Sequence, residues 1–309
     1  MSKRMKILIG YDGSSYSDAA VDDLRRAGLP SEADALVVSV GIAPVIPPFA
    51  THDVIERALI GDRVVAIVDQ ANRQVSEALK HANELVLSAS LRLKSYFPTW
   101  QMRGEVLAGT PAAELIRKAE EWEADLIVVG SQGRSAIGRL VLGSVSLEVA
   151  SKSRCSVRIG RKTTAQAEWK ELRILIGLDG SSGAERAVRK VLMRAWPEGT
   201  ELRIVAVDDG VSPITIADMV TGSDNRLRED TSITADRMVK LAAAKGLTVS
   251  AGIKKGDPQR VLITKAREWE ADCIVIGSRW TGNTPQGFFG SGVSTGLAAN
   301  AECSVEIVR

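Results

Sequence analysis

Lys6–Ser15 reads KILIGYDGSS, and Arg173–Ser182 reads RILIGLDGSS; eight of the ten positions agree at an offset of 167. Further along, Lys118–Ser131 (KAEEWEADLIVVGS) returns as Lys265–Ser278 (KAREWEADCIVIGS) at an offset of 147, and Cys155–Val157 (CSV) returns as Cys303–Val305 at 148. Self-similarity of this kind marks duplication of one domain. The shifts in offset locate insertions. The first repeat carries 20 extra residues before its fourth strand, and the second carries one extra residue between Gly277 and Cys303.

Each copy alternates short apolar runs with amphipathic stretches. Ile7–Ile9, Leu36–Val40, Gln101–Leu107, Leu126–Val129 and Val157–Ile159 read as strands in the first. Ile174–Ile176, Leu202–Val207, Leu247–Ile253, Cys273–Ile276 and Val305–Val308 are their counterparts. Runs apolar at consecutive positions suit strands covered on both faces, hence a parallel sheet. Helical spacing at Ala19, Ala20, Leu24 and Ala27, and again at Ala113, Leu115, Ile116 and Ala119, fills the gaps. The alternation predicts an α/β fold of two tandem doubly wound domains, residues 1–162 and 170–309, joined by the polar stretch Arg161–Lys170. Thr110-Pro111 and Asp257-Pro258 read as helix N-caps followed by proline, and Gly246 as a helix stop. Asp53–Tyr96 reads as one or two long helices, packed on the core, covering the site as a lid or forming an assembly surface.

Composition narrows the function classes. The chain has 309 residues, a net charge of +2, three cysteines and two histidines. Bulk charge near neutrality asks for neither nucleic acid nor an anionic membrane. No apolar run approaches the ~20 residues of a membrane span, and the N-terminal apolar stretch is too short for a signal-peptide core. Cys155, Cys273 and Cys303 lie in or beside apolar strands, which predicts small buried hydrophobes in a reducing, cytoplasmic setting. His52 and His81 have no metal-ligand spacing with cysteine. Trp122 and Trp269, in the repeated E-W-E-A-D, read as aromatics packed beneath a strand.

Two glycine-bearing loops leave strand ends, where doubly wound sheets bind ligands. In Asp12-Gly13-Ser14-Ser15 the carboxylate can reach a ribose, a base or a metal on phosphates. The serines can cap the next helix or donate to an anion. The second loop runs Gly130-Ser131-Gln132-Gly133, nine residues, then Gly143-Ser144-Val145-Ser146. Its glycines allow close backbone approach, Gly143-Ser144 offers N–H groups at a helix start, and Arg134 and Arg139 add positive charge.

The strand–DGS opening, A-D-L-I-V-V-G, G-x2-G-x9-G-S and C-S-V-x-I together resemble the universal stress protein family, in both halves. The resemblance implies five-stranded parallel sheets flanked by helices, Rossmann-like in character, in cytoplasmic stress-response proteins that often dimerise through the last strand. One branch binds ATP, usually with a divalent metal such as Mg2+ or Mn2+. Carried over, Tyr11, Asp12 and Gly13 lie by the adenine and ribose, and Val40 by the adenine. Val129 and Gly130 pack under the nucleotide. Gly133, Arg134, Gly143, Ser144, Val145 and Ser146 hold ribose and phosphates. The second repeat matches at Asp179, Val207 and Gly277, but Trp280 stands where Gly133 does. Gly290-Ser291 keeps the family spacing from Gly277. Counting back from Cys303 instead brings Ser291-Gly292-Val293-Ser294 opposite Gly143–Ser146. The resemblance thus implies adenine nucleotide bound mainly by the first repeat, with the second altered. A slow ATPase and a nucleotide-free interaction scaffold are the competing readings, although no general base is recognisable near the loop. The resemblance also implies an internal pseudo-dimer through the two last strands, with a homodimer as the further assembly.

Overall fold

The computed structural model describes residues 3–41, 62–133, 142–162, 171–179, 181–208, 247–278, 280–281, 284–285 and 291–309. In the first repeat β1 (Met5–Gly10), β2 (Ala33–Gly41), β3 (Gln101–Ala108), β4 (Leu126–Gly130) and β5 (Ser156–Gly160) are strands. Between them lie α1 (Ser15–Asp23), α2 (Asp62–Tyr96), α3 (Pro111–Glu121) and α4 (Ser144–Lys152). The second repeat follows with β6 (Arg173–Leu178), α5 (Ser182–Leu192), β7 (Glu201–Asp208), β8 (Thr248–Lys255) and α6 (Pro258–Glu268). It ends with β9 (Cys273–Gly277), a two-strand hairpin β10 (Trp280–Thr281) and β11 (Thr284–Pro285), α7 (Ser291–Asn300) and β12 (Ser304–Val308). All ten expected strands are present. The hairpin has no counterpart in the sequence reading, because two-residue strands carry no periodicity.

The strand order is β3-β2-β1-β4-β5-β12-β9-β6-β7-β8, one ten-stranded sheet. Within this sheet every pairing inside a repeat is parallel, and β5 meets β12 antiparallel, with Arg158 opposite Glu306. The two last strands therefore cover each other's open edge, which would otherwise expose unpaired backbone groups. One core runs unbroken along a single face of both repeats, from Leu8 and Ile127 through Val157 and Val305 to Ile274 and Leu175. The opposite face holds two separate cores, one under α1 and α2 and one under α5.

Local causes fix the helix ends. Ser14 Oγ accepts the Ser17 N–H at 3.2 Å, and Ser181 Oγ accepts the Ala184 N–H at 3.2 Å. Asp257 caps α6 through the Arg260 N–H at 2.8 Å, whereas Thr110 at the start of α3 makes no such bond. The described part of the 53–96 stretch is a single helix of 35 residues. Its Ala82, Val86, Ala89 and Leu93 are buried against the sheet, in line with core packing. Residues 53–61, Gly246, His52 and the linker residues 163–170 lie outside the described residues.

The E-W-E-A-D repeat has a structural role. Asp125 accepts the Lys6 N–H at 2.8 Å, and Asp272 accepts the Arg173 N–H at 2.9 Å, so each aspartate tethers the first strand of its repeat. The Trp122 and Trp269 carbonyls accept from the Lys6 and Arg173 side chains at 3.0 and 3.1 Å. Both indoles pack against the shared core. The turn is tight enough that Glu123 and Glu270 take positive φ, 53° and 52°. All three cysteines are free thiols, and burial raises them, Cys155 to about 11 and Cys303 to about 12. Among the described residues no helix is long and apolar enough to cross a membrane.

Candidate nucleotide site

In the first repeat β1 leads to β2 on one side and has β4 on the other, so the chain reverses direction across the sheet between β1 and β4. Ligands in open α/β sheets sit outside the strand ends at this point. The loops after β1 and β4 both emerge there.

Tyr11 continues β1 by donating its N–H to the Val38 carbonyl at 2.9 Å. Its ring is buried with the core under α1 and α2, and its hydroxyl donates to Asp18 Oδ1 at 2.7 Å. Burial, reinforced by that bond, holds the phenol proton well above its usual range. Asp18 and Asp22 in turn pair with Arg92 of α2 at 2.8 and 2.6 Å. The Tyr11 side chain thus locks α1 and α2 to the end of β1.

Asp12 turns the other way. Its Oδ1 accepts the Ser14 N–H at 3.0 Å, and its Oδ2 would lie 3.1 Å from a Cβ built on Gly133. The loop leaving β4 therefore folds back over the end of β1 against this carboxylate. Gly13 has φ of 75°, and a Cβ there would collide with Leu85 of α2 at 2.5 Å. The positive φ is what favours glycine here, since the Leu85 methyl ends a flexible side chain that can shift. Ser14 is spent on its cap, so the capping reading holds for that residue.

The second loop is held from within. Gly143 donates its N–H to the Ser131 carbonyl at 2.8 Å, and Ser146 Oγ donates to the Gly130 carbonyl at 2.6 Å. A Cβ on Gly143 would approach Gln132 Cα to 3.2 Å. These contacts bring the start of α4 against the end of β4. Gly143 is its N-cap and supplies no side-chain acceptor for the first-turn N–H groups. Ser144 is exposed at that tip, while Val145 and, at the end of β2, Val40 pack partly buried on the shared core. Val129 is fully in that core.

Gly130 has another reason to be glycine. A Cβ there would stand 2.6 Å from the Tyr16 carbonyl carbon and 2.8 Å from the Ser17 nitrogen. The backbone that approaches it is α1, and no ligand is needed to explain its lack of a side chain. Gly277 repeats the arrangement against Gly183 and Ala184. Gly133 and Gly143 are the glycines that face the loop. Arg134 and Arg139 lie outside the described residues.

The second repeat keeps the first loop and rebuilds the second. Asp179 Oδ1 accepts the Ser181 N–H at 3.0 Å, as Asp12 does for Ser14. Val207 is buried at the end of β7. After β9, however, the Ser278 N–H goes to the Val308 carbonyl at 2.8 Å, and the chain enters the Trp280–Pro285 hairpin. Gly290 lies outside the described residues, and α7 begins at Ser291. Ser294 is buried like Ser146, 4 % against 3 % exposed, and Val293 is partly buried like Val145. Burial therefore favours the register counted back from Cys303. Yet Ser294 Oγ has no hydrogen-bond partner among the described residues, where Ser146 Oγ ties α4 to β4.

A model of the Universal stress protein family matches residues 3–161 and 172–309. A universal stress protein from Mycolicibacterium smegmatis is 26% identical over 311 residues, covering 98% of this chain and 96% of its own. Universal stress protein Rv2005c from Mycobacterium tuberculosis is 26% identical over 320 residues, covering 100% of this chain and 99% of its own. Among solved structures, a universal stress protein from Archaeoglobus fulgidus superposes with a TM-score of 0.64 at 20% identity, covering 98% of both chains. Matched in both halves, built on the strand order described and paired end to end with tandem relatives, the chain belongs to the Universal stress protein family.

Proposed function

We propose that this protein is a nucleotide-responsive regulator that holds ATP mainly in its first repeat. One observation carries the reading. The glycine loop after β4 folds back on Asp12 at the switch point, leaving 3.1 Å between the Gly133 Cβ position and Asp12 Oδ2. A cradle that a single side chain would fill, beside a carboxylate and an uncapped helix start, suits a ribose and its phosphates. Asp12 would receive the ribose hydroxyls. The N–H groups at the start of α4, with Ser144, would receive phosphate oxygens. Val40 and Val129 would offer apolar surface to the base. Mg2+ or Mn2+ would arrive on the phosphates.

The second repeat lacks the Gly133 equivalent and spends the corresponding stretch on a hairpin. It binds nucleotide weakly or not at all. The test is mass spectrometry of nucleotide released on denaturing the purified protein, repeated with Gly133→Trp, which copies the second repeat's own residue. Adenine nucleotide in the wild type and its loss in a folded variant support the proposal. No adenine nucleotide even after incubation with ATP, or equal amounts in both proteins, would overturn it.

A further inference from the structure

The seam between the repeats is built on charges that the duplication has reversed. β5 and β12 are equivalent strands, and Arg158 in one stands at the position of Glu306 in the other. They are register partners across the seam, with Arg158 Nη1 3.0 Å from Glu306 Oε2, and neither side chain is more than 1% exposed. The helices α1 and α5 obey the same rule. The offset of 167 that aligns the two Asp-Gly-Ser-Ser turns sets Asp23 opposite Lys190.

Contacts related by the twofold relation therefore have opposite polarity. Asp23 Oδ1 accepts from Ser304 Oγ at 2.8 Å, while Lys190 Nζ donates to Ser156 Oγ at 3.0 Å. Asp23 also grips Arg158 within its own repeat at 2.6 Å. Glu306 is gripped by Arg194 of its own repeat, which reaches across to the Ala27 carbonyl at 3.0 Å.

A seam between two like repeats would lose the Arg158–Glu306 match, whereas a serine hydroxyl serves Asp23 or Lys190 in either pairing because it can both donate and accept. Two copies of the first repeat would set Arg158 against Arg158, each still holding its Asp23 but with no carboxylate for the Nη1 now on Glu306. Two copies of the second would set Glu306 against Glu306, each still holding its Arg194 but with no guanidinium from the facing strand. Like charges directly opposite on paired strands are destabilising, and burial leaves no water to relieve them. We infer that the β5 and β12 edges recognise only the unlike repeat, so this surface is fitted to a first-repeat–second-repeat pair and rejects matched repeats. Association of whole chains must then use another surface, or exchange unlike repeats between chains.

The test uses the full chain with a protease site placed within residues 163–170, cut after folding. The nicked protein is annealed below its unfolding temperature and its fragment pairs are read by native mass spectrometry. The expected result is an excess of unlike over like pairs of at least about 10-fold. The double variant Arg158→Gln/Glu306→Gln, which removes both charges, should drift toward a statistical mixture. Free scrambling of the wild type, or a preference unchanged in the neutral variant, would overturn the inference. If the fragments do not exchange, the uncut chain decides through a double-mutant cycle of Arg158→Met and Glu306→Met. A double variant that loses less melting temperature than the two single losses combined supports direct pairing; strict additivity overturns it.

Discussion

Gly130 and Gly133 stand three residues apart in one motif, yet the structure gives them different tasks, and alanine separates them. At Gly130 the added methyl would lie 2.6 Å from the Tyr16 carbonyl carbon and 2.8 Å from the Ser17 nitrogen. Both are backbone atoms of a packed helix start, so relief requires α1 to move away from β4. Overpacking of this kind costs about 1–3 kcal/mol. Taking about 2 kcal/mol for a unit of this size, the melting temperature falls by roughly 4–8 °C. Among the described residues the methyl at Gly133 would meet Asp12 Oδ2 at 3.1 Å, a side-chain atom rather than backbone, which must give by a few tenths of an ångström. Gly133→Ala should change stability by less than about 0.5 kcal/mol. It should nevertheless weaken nucleotide binding, because the methyl occupies the cradle beside Asp12. Differential scanning calorimetry of the two variants, each with and without ATP, reads both effects. The reasoning fails if Gly130→Ala melts with the wild type, or if Gly133→Ala is the more destabilised of the two.

Three further outcomes follow from the same geometry. Burial alone would raise the Glu306 carboxyl, but Arg194 and Arg158 outweigh it and hold it at about 2. A depressed folded pKa gives stability that is present above the ordinary carboxylate value and lost as pH falls through it toward 2. Acid unfolding profiles should therefore be steeper between about pH 4.5 and 2 for the wild type than for Glu306→Gln, and identical slopes would contradict the pairing. Glu123 and Glu270 hold left-handed backbone at φ 53° and 52°, and their side chains are exposed at 75% and 68%. Replacing either by glycine relieves strain of about 1 kcal/mol or less and should raise the melting temperature slightly; a fall would refute the strain argument. Tyr11→Phe removes the bond to Asp18 and should loosen α2, seen as faster amide exchange around Arg92. Unchanged protection there would show that the Arg92 and Tyr96 bonds to Asp18 and Asp22 hold the two helices without it.

Much of the frame was legible in the residues. Consecutive apolar positions such as Leu126–Val129 gave strands buried on both faces, and the duplicated offsets gave two copies. The closing strands were expected to meet, and their pairing gives one ten-stranded sheet. Other features escaped for physical reasons. Gly130 read as room for a ligand, because a sequence does not show that α1 crosses β4 there. Arg158 and Glu306 drew no notice inside their apolar strands, although the offsets of 148 and 167 already set each of the four reversed charges against its opposite. The bond from the Tyr11 hydroxyl to Asp18 was not foreseen, because it depends on a helix turn that local pattern does not orient. Ser294 kept its burial but not the hydrogen bond of Ser146, which depends on how the rewritten loop carries the chain.

The claim that the duplication left one working nucleotide pocket and one rebuilt pocket is tested most directly by calorimetric titration of ATP into nucleotide-stripped full-length protein, with Mg2+ present. The proposal predicts one tight site per chain, lost in Gly133→Trp while the variant stays folded. Two equal sites per chain, or a single site untouched by that substitution, would contradict it.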